Sequence, residues 1–143
     1  MILLERDGAI TELSFDAGRG ANLRPKETPL LRATAHQLSE YLAGRRRIFD
    51  LPLNPVGTEF QHKVWDALLR IPFGETKSYA QVAAAVGCPR GARAVGGAVG
   101  KNPIPIIIPC HRVLAAGGKI GGFSLGLDMK RKLLNIEGIS VDN

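Results

Sequence analysis

At 143 residues the chain has room for one domain with its own core, and 45% hydrophobic against 22% charged residues excludes a disordered polyelectrolyte. No apolar run is long enough to span a membrane, and the opening MILLERDGAI is broken by charge, so neither a spanning helix nor a secretory signal is expected. A net charge of +6 points towards a polyanion, while two cysteines and three scattered histidines give neither a disulfide framework nor a zinc spacing. A metal-free protein of the reducing cytoplasm is the expectation.

In chain order, the first predicted element is a strand over Ala9–Phe15, entered by a turn at Asp7–Ala9. Asp16–Pro29 is rich in glycine, proline and charge and reads as a loop. Thr28 can cap a helix over Pro29–Ala43, with Leu30, Leu31, Leu38, Tyr41 and Leu42 as its apolar side and Gly44 as its stop. The basic run Arg45–Arg47 follows that helix end as a solvated face. Phe49–Val56 carries two prolines and reads as an extended linker, which divides the chain into 1–54 and 55–143.

The second part opens on Thr58 and Gln61 at capping-box spacing, ahead of a helix with Phe60, Val64, Trp65 and Leu68 on one stripe. Pro72 and Gly74 end it. Ser78 caps a short helix through Val86, Gly87 breaks it, and Pro89 opens another over Arg90–Val99. Helix, glycine turn and helix form a helix-turn-helix pattern, and Lys77, Arg90, Arg93 and Lys101 fall within it. The small residues of the second helix imply close approach of another surface. Ile106–Ile108 reads as a short buried strand, Ala115–Gly126 as a glycine loop, and Asp128–Glu137 as a last helix. The glycine loop has no phosphate-loop spacing, which excludes nucleotide hydrolysis.

The chemistry concentrates in Pro105–Val113, PIIIPCHRV. Pro109 fixes the backbone before Cys110, and His111 follows at once. A thiol attacks as thiolate, so a reactive cysteine needs a neighbour that takes its proton. Cys110 could equally be a small buried hydrophobe, since adjacent side chains on a strand point apart. Glu137 stands at a helix end where a carboxylate opposes the dipole; it is either a tolerated surface residue or the acid that orients His111. Arg93, alone among alanines and glycines, is either solvated or a side chain that reaches into a groove.

Taken together, GTEFQHKVWDAL, IPFGETKSYAQVA, RAVGGAVGKNPIPIIIPCHRV and GGFSLGLDMKRKLLNIEG resemble the O6-alkylguanine-DNA alkyltransferases, from Gly57 to Gly138. The resemblance implies an α+β fold: a small, shortened N-terminal α/β subdomain, then a mainly helical, winged-helix-like domain that binds DNA through its helix-turn-helix and carries the active site. It also implies a single-turnover suicide repair protein, active as a monomer on double-stranded DNA holding O6-alkylguanine, without cofactor or metal. On that pattern the recognition helix, with Arg90, Ala92, Ala94 and Gly96, enters the minor groove, and Arg93 fills the gap left by the flipped guanine. Cys110 takes the alkyl group, His111 acts as base through a water, and Glu137 holds the histidine. Tyr79 crowds the flipped nucleotide's phosphate and protonates or hydrogen-bonds guanine N3, and Asn102 ties the recognition helix to the active-site segment. Backbone groups at Cys110 and Val113 read the guanine edge, Ser124 donates to O6, Pro105 and Phe123 wall the pocket, and Lys130 helps nearby.

Two departures from the pattern stand out. Phe123 replaces a tyrosine common in the family, and the additional strand and hairpin usual before Ala9–Phe15 are expected to be absent. Three other readings compete: a sensor that flags alkylated DNA without reacting, a winged-helix regulator in which Cys110 is structural, and a cysteine hydrolase that turns over. The sensor type lacks the nucleophile, whereas Cys110 is present. The regulator leaves Asn102 and Glu137 without a role, and the hydrolase would need no DNA.

Overall fold

Asp7 and Gly8 both adopt positive φ, 52° and 80°, the pair of left-handed residues that a two-residue hairpin turn requires. They join strand β1 (Ile2–Arg6) to strand β2 (Ala9–Ser14) in an antiparallel pair. A strand therefore does precede Ala9, contrary to the expectation of a sheet cut back to it; Ile2–Leu4 supplies the apolar edge that the charges of Glu5 and Arg6 obscure. The computed structural model of the protein describes residues 1–141. Helix α1 (Pro29–Leu42) is capped by Thr28, whose Oγ1 accepts from Leu31 N at 3.1 Å and donates to Glu5 Oε1. Its Leu38 and Tyr41 are buried, as are Ile10 and Leu13 of β2. The outer edge of β2 is occupied: Ile10 N donates to Pro52 O, Asn54 N to Ile10 O, and Leu13 N to Pro103 O. These residues form one unit, 1–56 with Pro103–Pro105.

The other unit comprises 57–102 and 106 onwards. Helix α2 (Glu59–Leu69) begins with a complete Thr58–Gln61 capping box. Gly57 ahead of it is tied to its type, because a Cβ there would lie 2.4 Å from the Trp65 ring. Strand β3 (Lys77–Ser78) leads directly into helix α3 (Tyr79–Ala85), which has a second capping box, Ser78–Gln81. Helix α4 (Ala92–Gly100) starts two residues later than expected. Pro89 and Arg90 form the middle of a turn closed by Gly91 N donating to Cys88 O at 2.8 Å, so Pro89 opens a turn and not the helix. The three helices pack around Val64, Trp65, Leu68, Val82, Ala83, Val95 and Ala98, and Trp65 Nε1 donates to Ala98 O at 2.9 Å.

The segment Ile106–Ile108 is buried but is not a strand. Ile106 sits at φ 76°, a conformation that costs a β-branched residue about 1–3 kcal/mol. The chain turns there, and Asn102 Nδ2 donates to Ile108 O at 2.9 Å. Burial alone accounts for the isoleucines; an apolar run does not distinguish a packed turn from a strand. A short 3-10 turn, Cys110–Arg112, follows and runs into strand β4 (Val113–Leu114), which pairs in parallel with β3. Helix α5 (Leu127–Ile136) closes the unit, with Glu137 at its C-cap. The architecture is thus mixed α and β, with five α-helices among the described residues. None of the described helices is long and apolar enough to cross a membrane.

Candidate active site

The 3-10 turn changes the geometry assumed for a strand. Cys110, His111 and Arg112 are consecutive residues of a tight turn, and all three are buried. Cys110 is 2% exposed, and its N–H donates to Ile108 O at 2.7 Å. Burial pushes its thiol pKa up; the Asn102 side chain, backbone N–H groups of the turn and the nearby Lys130 charge act in the opposite direction. The resting group is therefore a thiol, which needs a base at the moment it reacts. Asn102 consequently serves two neighbours, the Ile108 carbonyl and the sulfur.

His111 lies wholly inside the unit, with Nε2 2.7 Å from Glu137 Oε2. Nδ1, also buried, is the ring nitrogen that Glu137 does not hold. Burial lowers the pKa of the ring, and the Arg112 and Lys130 charges add to that against the pull of Glu137. A neutral imidazole at physiological pH can accept a proton. Glu137 itself sits in a dense set of donors. Arg112 grips both oxygens, Nε to Oε1 at 2.8 Å and Nη2 to Oε2 at 3.0 Å, and Gly74 N donates to Oε1 at 3.0 Å. The carboxylate that opposed the helix dipole is thus the hub of a buried network.

Tyr79 reaches this region through local structure. The β3–β4 ladder sets Ser78 against Leu114, and Tyr79 is the next residue, the first of α3. Its ring lies near Gly96 and Gly121, where an added Cβ would come within 3.9 and 3.7 Å. Burial and a negative charge on Cys110 both raise its pKa, so the phenol keeps its proton. Lys130, fully buried, donates from Nζ to the carbonyls of Val113, Ile120 and Gly122 at 2.7, 2.5 and 3.0 Å. Its pKa falls to about 8 through burial, opposed by Cys110.

Cys110, His111, Glu137, Asn102, Tyr79 and Lys130 therefore share one locality. Val113 is there too, with its N–H donating to Cys110 O and its carbonyl accepting from Lys130. Each of those two carbonyls has a second lone pair. The other expected residues take no part in the hydrogen bonds just described. Arg90 and Arg93 are exposed, Ala94 is exposed and Ala92 half-buried beside Arg93, Ser124 is exposed and Phe123 half-buried on the loop before α5. Pro105 is buried and falls in the first unit. Sequence reasoning passed over Arg112, which also donates from Nη1 to Ile71 O at 2.6 Å and lies over the Phe73 ring at 5.9 Å. A cation inside the apolar run Pro109–Leu114 was the available signal, since a buried charge demands a partner. Among the described residues no group of three or more histidine, cysteine or acidic side chains converges as a metal site would require.

Comparison with known proteins adds an independent line. Residues 59–139 match the family model described as 6-O-methylguanine DNA methyltransferase, DNA binding domain. The constitutive methylated-DNA–protein-cysteine methyltransferase of Bacillus subtilis is 52% identical over 120 residues, covering 83% of this chain and 73% of the relative. The methylated-DNA–protein-cysteine methyltransferase of Methanosarcina acetivorans is 51% identical over 107 residues, covering 75% and 69%. A crystal structure of Mycobacterium tuberculosis OGT in complex with DNA superposes with a TM-score of 0.86 at 42% identity, covering 94% of this chain and 84% of that one.

Proposed function

The chain belongs to the 6-O-methylguanine DNA methyltransferase family, and from that membership we propose that it repairs DNA by moving an alkyl group from guanine O6 to Cys110, once per molecule. The observation that carries this reading is the buried Cys110 thiol followed by a neutral His111 whose ring is held by Glu137. Cys110 Sγ gives its proton through a water to His111 Nδ1. The sulfur then displaces guanine at the alkyl carbon: the S–C bond forms as the C–O6 bond breaks, and that electron pair passes into the purine. Tyr79 supplies a proton at N3 and is restored from the proton that Cys110 gave up. The products are guanine and a thioether. No group in this site can hydrolyse a thioether, so the reaction runs once, without cofactor.

Binding is assigned to the helix-turn-helix of α3 and α4. Arg90, Ala92, Ala94 and Gly96 face the minor groove and Arg93 replaces the flipped base. Ser124 contacts O6, and Phe123 bounds the base. We further assign 1–54 to an N-terminal subdomain and 55–143 to the transferase, acting as a monomer in the cytoplasm, where both unbridged cysteines stay reduced.

The deciding experiment is intact mass after mixing the protein with duplex DNA bearing one O6-methylguanine. A gain of one methyl, saturating at one per molecule and mapping to the Cys110 peptide, is the expected result. No gain with retained lesion binding would make the protein a sensor; repeated turnover would make it a hydrolase. A second prediction concerns flipping. Arg93→Ala should slow repair in duplex DNA roughly 10- to 100-fold, the equivalent of a few kcal/mol of unstacking, and leave reaction with free O6-benzylguanine unchanged. Equal losses on both substrates would remove Arg93 from the flipping step.

A further inference from the structure

Arg112 is a buried cation to which the chemistry above gives no task. Its fork meets Glu137 in two parallel bonds, 2.8 and 3.0 Å, while Nη1 is anchored on Ile71 O and the guanidinium lies over Phe73. We propose that Arg112 is a positioning residue: by gripping both oxygens of Glu137 it fixes His111 as the neutral Nε2–H tautomer, with Nδ1 as the nitrogen that receives the thiol proton. The inference rests on the transfer reaction proposed above.

The physical reasoning concerns what Glu137 would do alone. A carboxylate 2.7 Å from a buried imidazole draws a proton onto the ring, and an imidazolium cannot act as base. The charged groups that act on His111 are Glu137 at the end of α5, Lys130 on α5, and Arg112 on its own turn. Arg112 offsets the Glu137 charge directly. Geometry supplies the rest. Oε1 takes Arg112 Nε and Gly74 N, and Oε2 takes Arg112 Nη2, so the carboxylate plane is set before the histidine meets it. Only a planar fork can hold both oxygens in this way, which a lysine ammonium cannot reproduce.

The test is nitrogen NMR of the His111 ring between pH 5 and 8, together with the pH profile of single-turnover transfer, for wild type, Arg112→Met and Arg112→Lys. Wild type is expected to show a neutral Nε2–H ring that takes up a proton only below the ordinary pH 6.5. In R112M the protonation midpoint should rise by roughly one pH unit or more, and the acid limb of the rate should move with it, about tenfold per unit. R112K should recover the low midpoint in part and not the rate. An Nδ1–H tautomer or an imidazolium at pH 7 in wild type would overturn the proposal, whether or not R112M folds. So would an R112M protein whose midpoint and profile are unchanged and whose Tm alone has fallen. If wild type takes up no methyl, the transfer reaction fails, and the ring tautomer still decides the role of Arg112.

Discussion

Glu137→Ala is expected to cost about 3–5 kcal/mol of stability, because it leaves Arg112 buried without its counter-charge. Gly74 N and His111 Nε2 lose their acceptor in the same step, which adds to the loss. Against the roughly 5–15 kcal/mol typical of a whole domain this is about a fifth of the total at the least. The change should appear as a lower denaturation midpoint with an unchanged slope. Glu137→Gln preserves the volume and one acceptor and should fall between the two. A loss below about 1 kcal/mol for alanine would mean that water replaces the carboxylate and that the network is not structural. A pH signature accompanies it. His111 is harder to protonate folded than unfolded, so its contribution to stability is complete above pH 6.5 and is lost as the pH falls through the lower folded value.

Lys130→Met carries the second large effect. It strands the buried carbonyls of Val113 and Ile120 and leaves that of the exposed Gly122 to water; all three now accept from Nζ. An unsatisfied buried carbonyl costs about 1–3 kcal/mol, and removing a buried charge returns part of that, for a net loss of about 2–3 kcal/mol. Since the Lys130 pKa falls from 10.5 to about 8, the unfolded chain binds its proton more tightly. Wild type should therefore gain stability between pH 8 and 10.5, and K130M should not. The same substitution removes a cation that lowers the Cys110 pKa, so alkylation of that thiol by a small neutral probe should slow at fixed pH. Parallel stability curves for the two proteins from pH 8 to 10.5 would show that Lys130 does not titrate in the fold.

How much of this could be read from the chain depended on range. Thr58–Gln61 is a local signal, three residues apart, and its capping box forms as expected; Ser78 caps α3 as expected, and Gln81 completes a box there that the sequence reading does not include. Thr28 and Gly44 bracket α1 for the same reason. The N-terminus of α4 differs from expectation because Pro89 suits a turn as well as a first helical residue, and the Cys88–Gly91 bond decides between them. Ile106–Ile108 reads as a strand in the sequence because composition records burial and not φ. Pairing His111 with Glu137 was posed as a question by the helix-end carboxylate, but Arg112 to Glu137 spans 25 positions and Arg112 to Ile71 spans 41. Nothing local encodes such contacts. The chemistry of Cys110 itself rests on the resemblance of PCHRV and its flanking segments, and burial, which outweighs the opposing hydrogen bonds, supplies the physical reason for a protonated resting thiol.

The turn that carries Ile106 at φ 76° also bears on what happens when this chain is not folded. Three consecutive isoleucines are the kind of segment that seeds cross-β stacking, for which six or seven uninterrupted residues are needed. Pro103, Pro105 and Pro109 confine the run to Ile106–Ile108, too short a window to stack. In the native state its backbone is bent and its edge closed, with Ile108 O already accepting from Asn102 and from Cys110. The segment that delivers the nucleophile is thereby kept from becoming an aggregation template, whether the surrounding chain is folded or open.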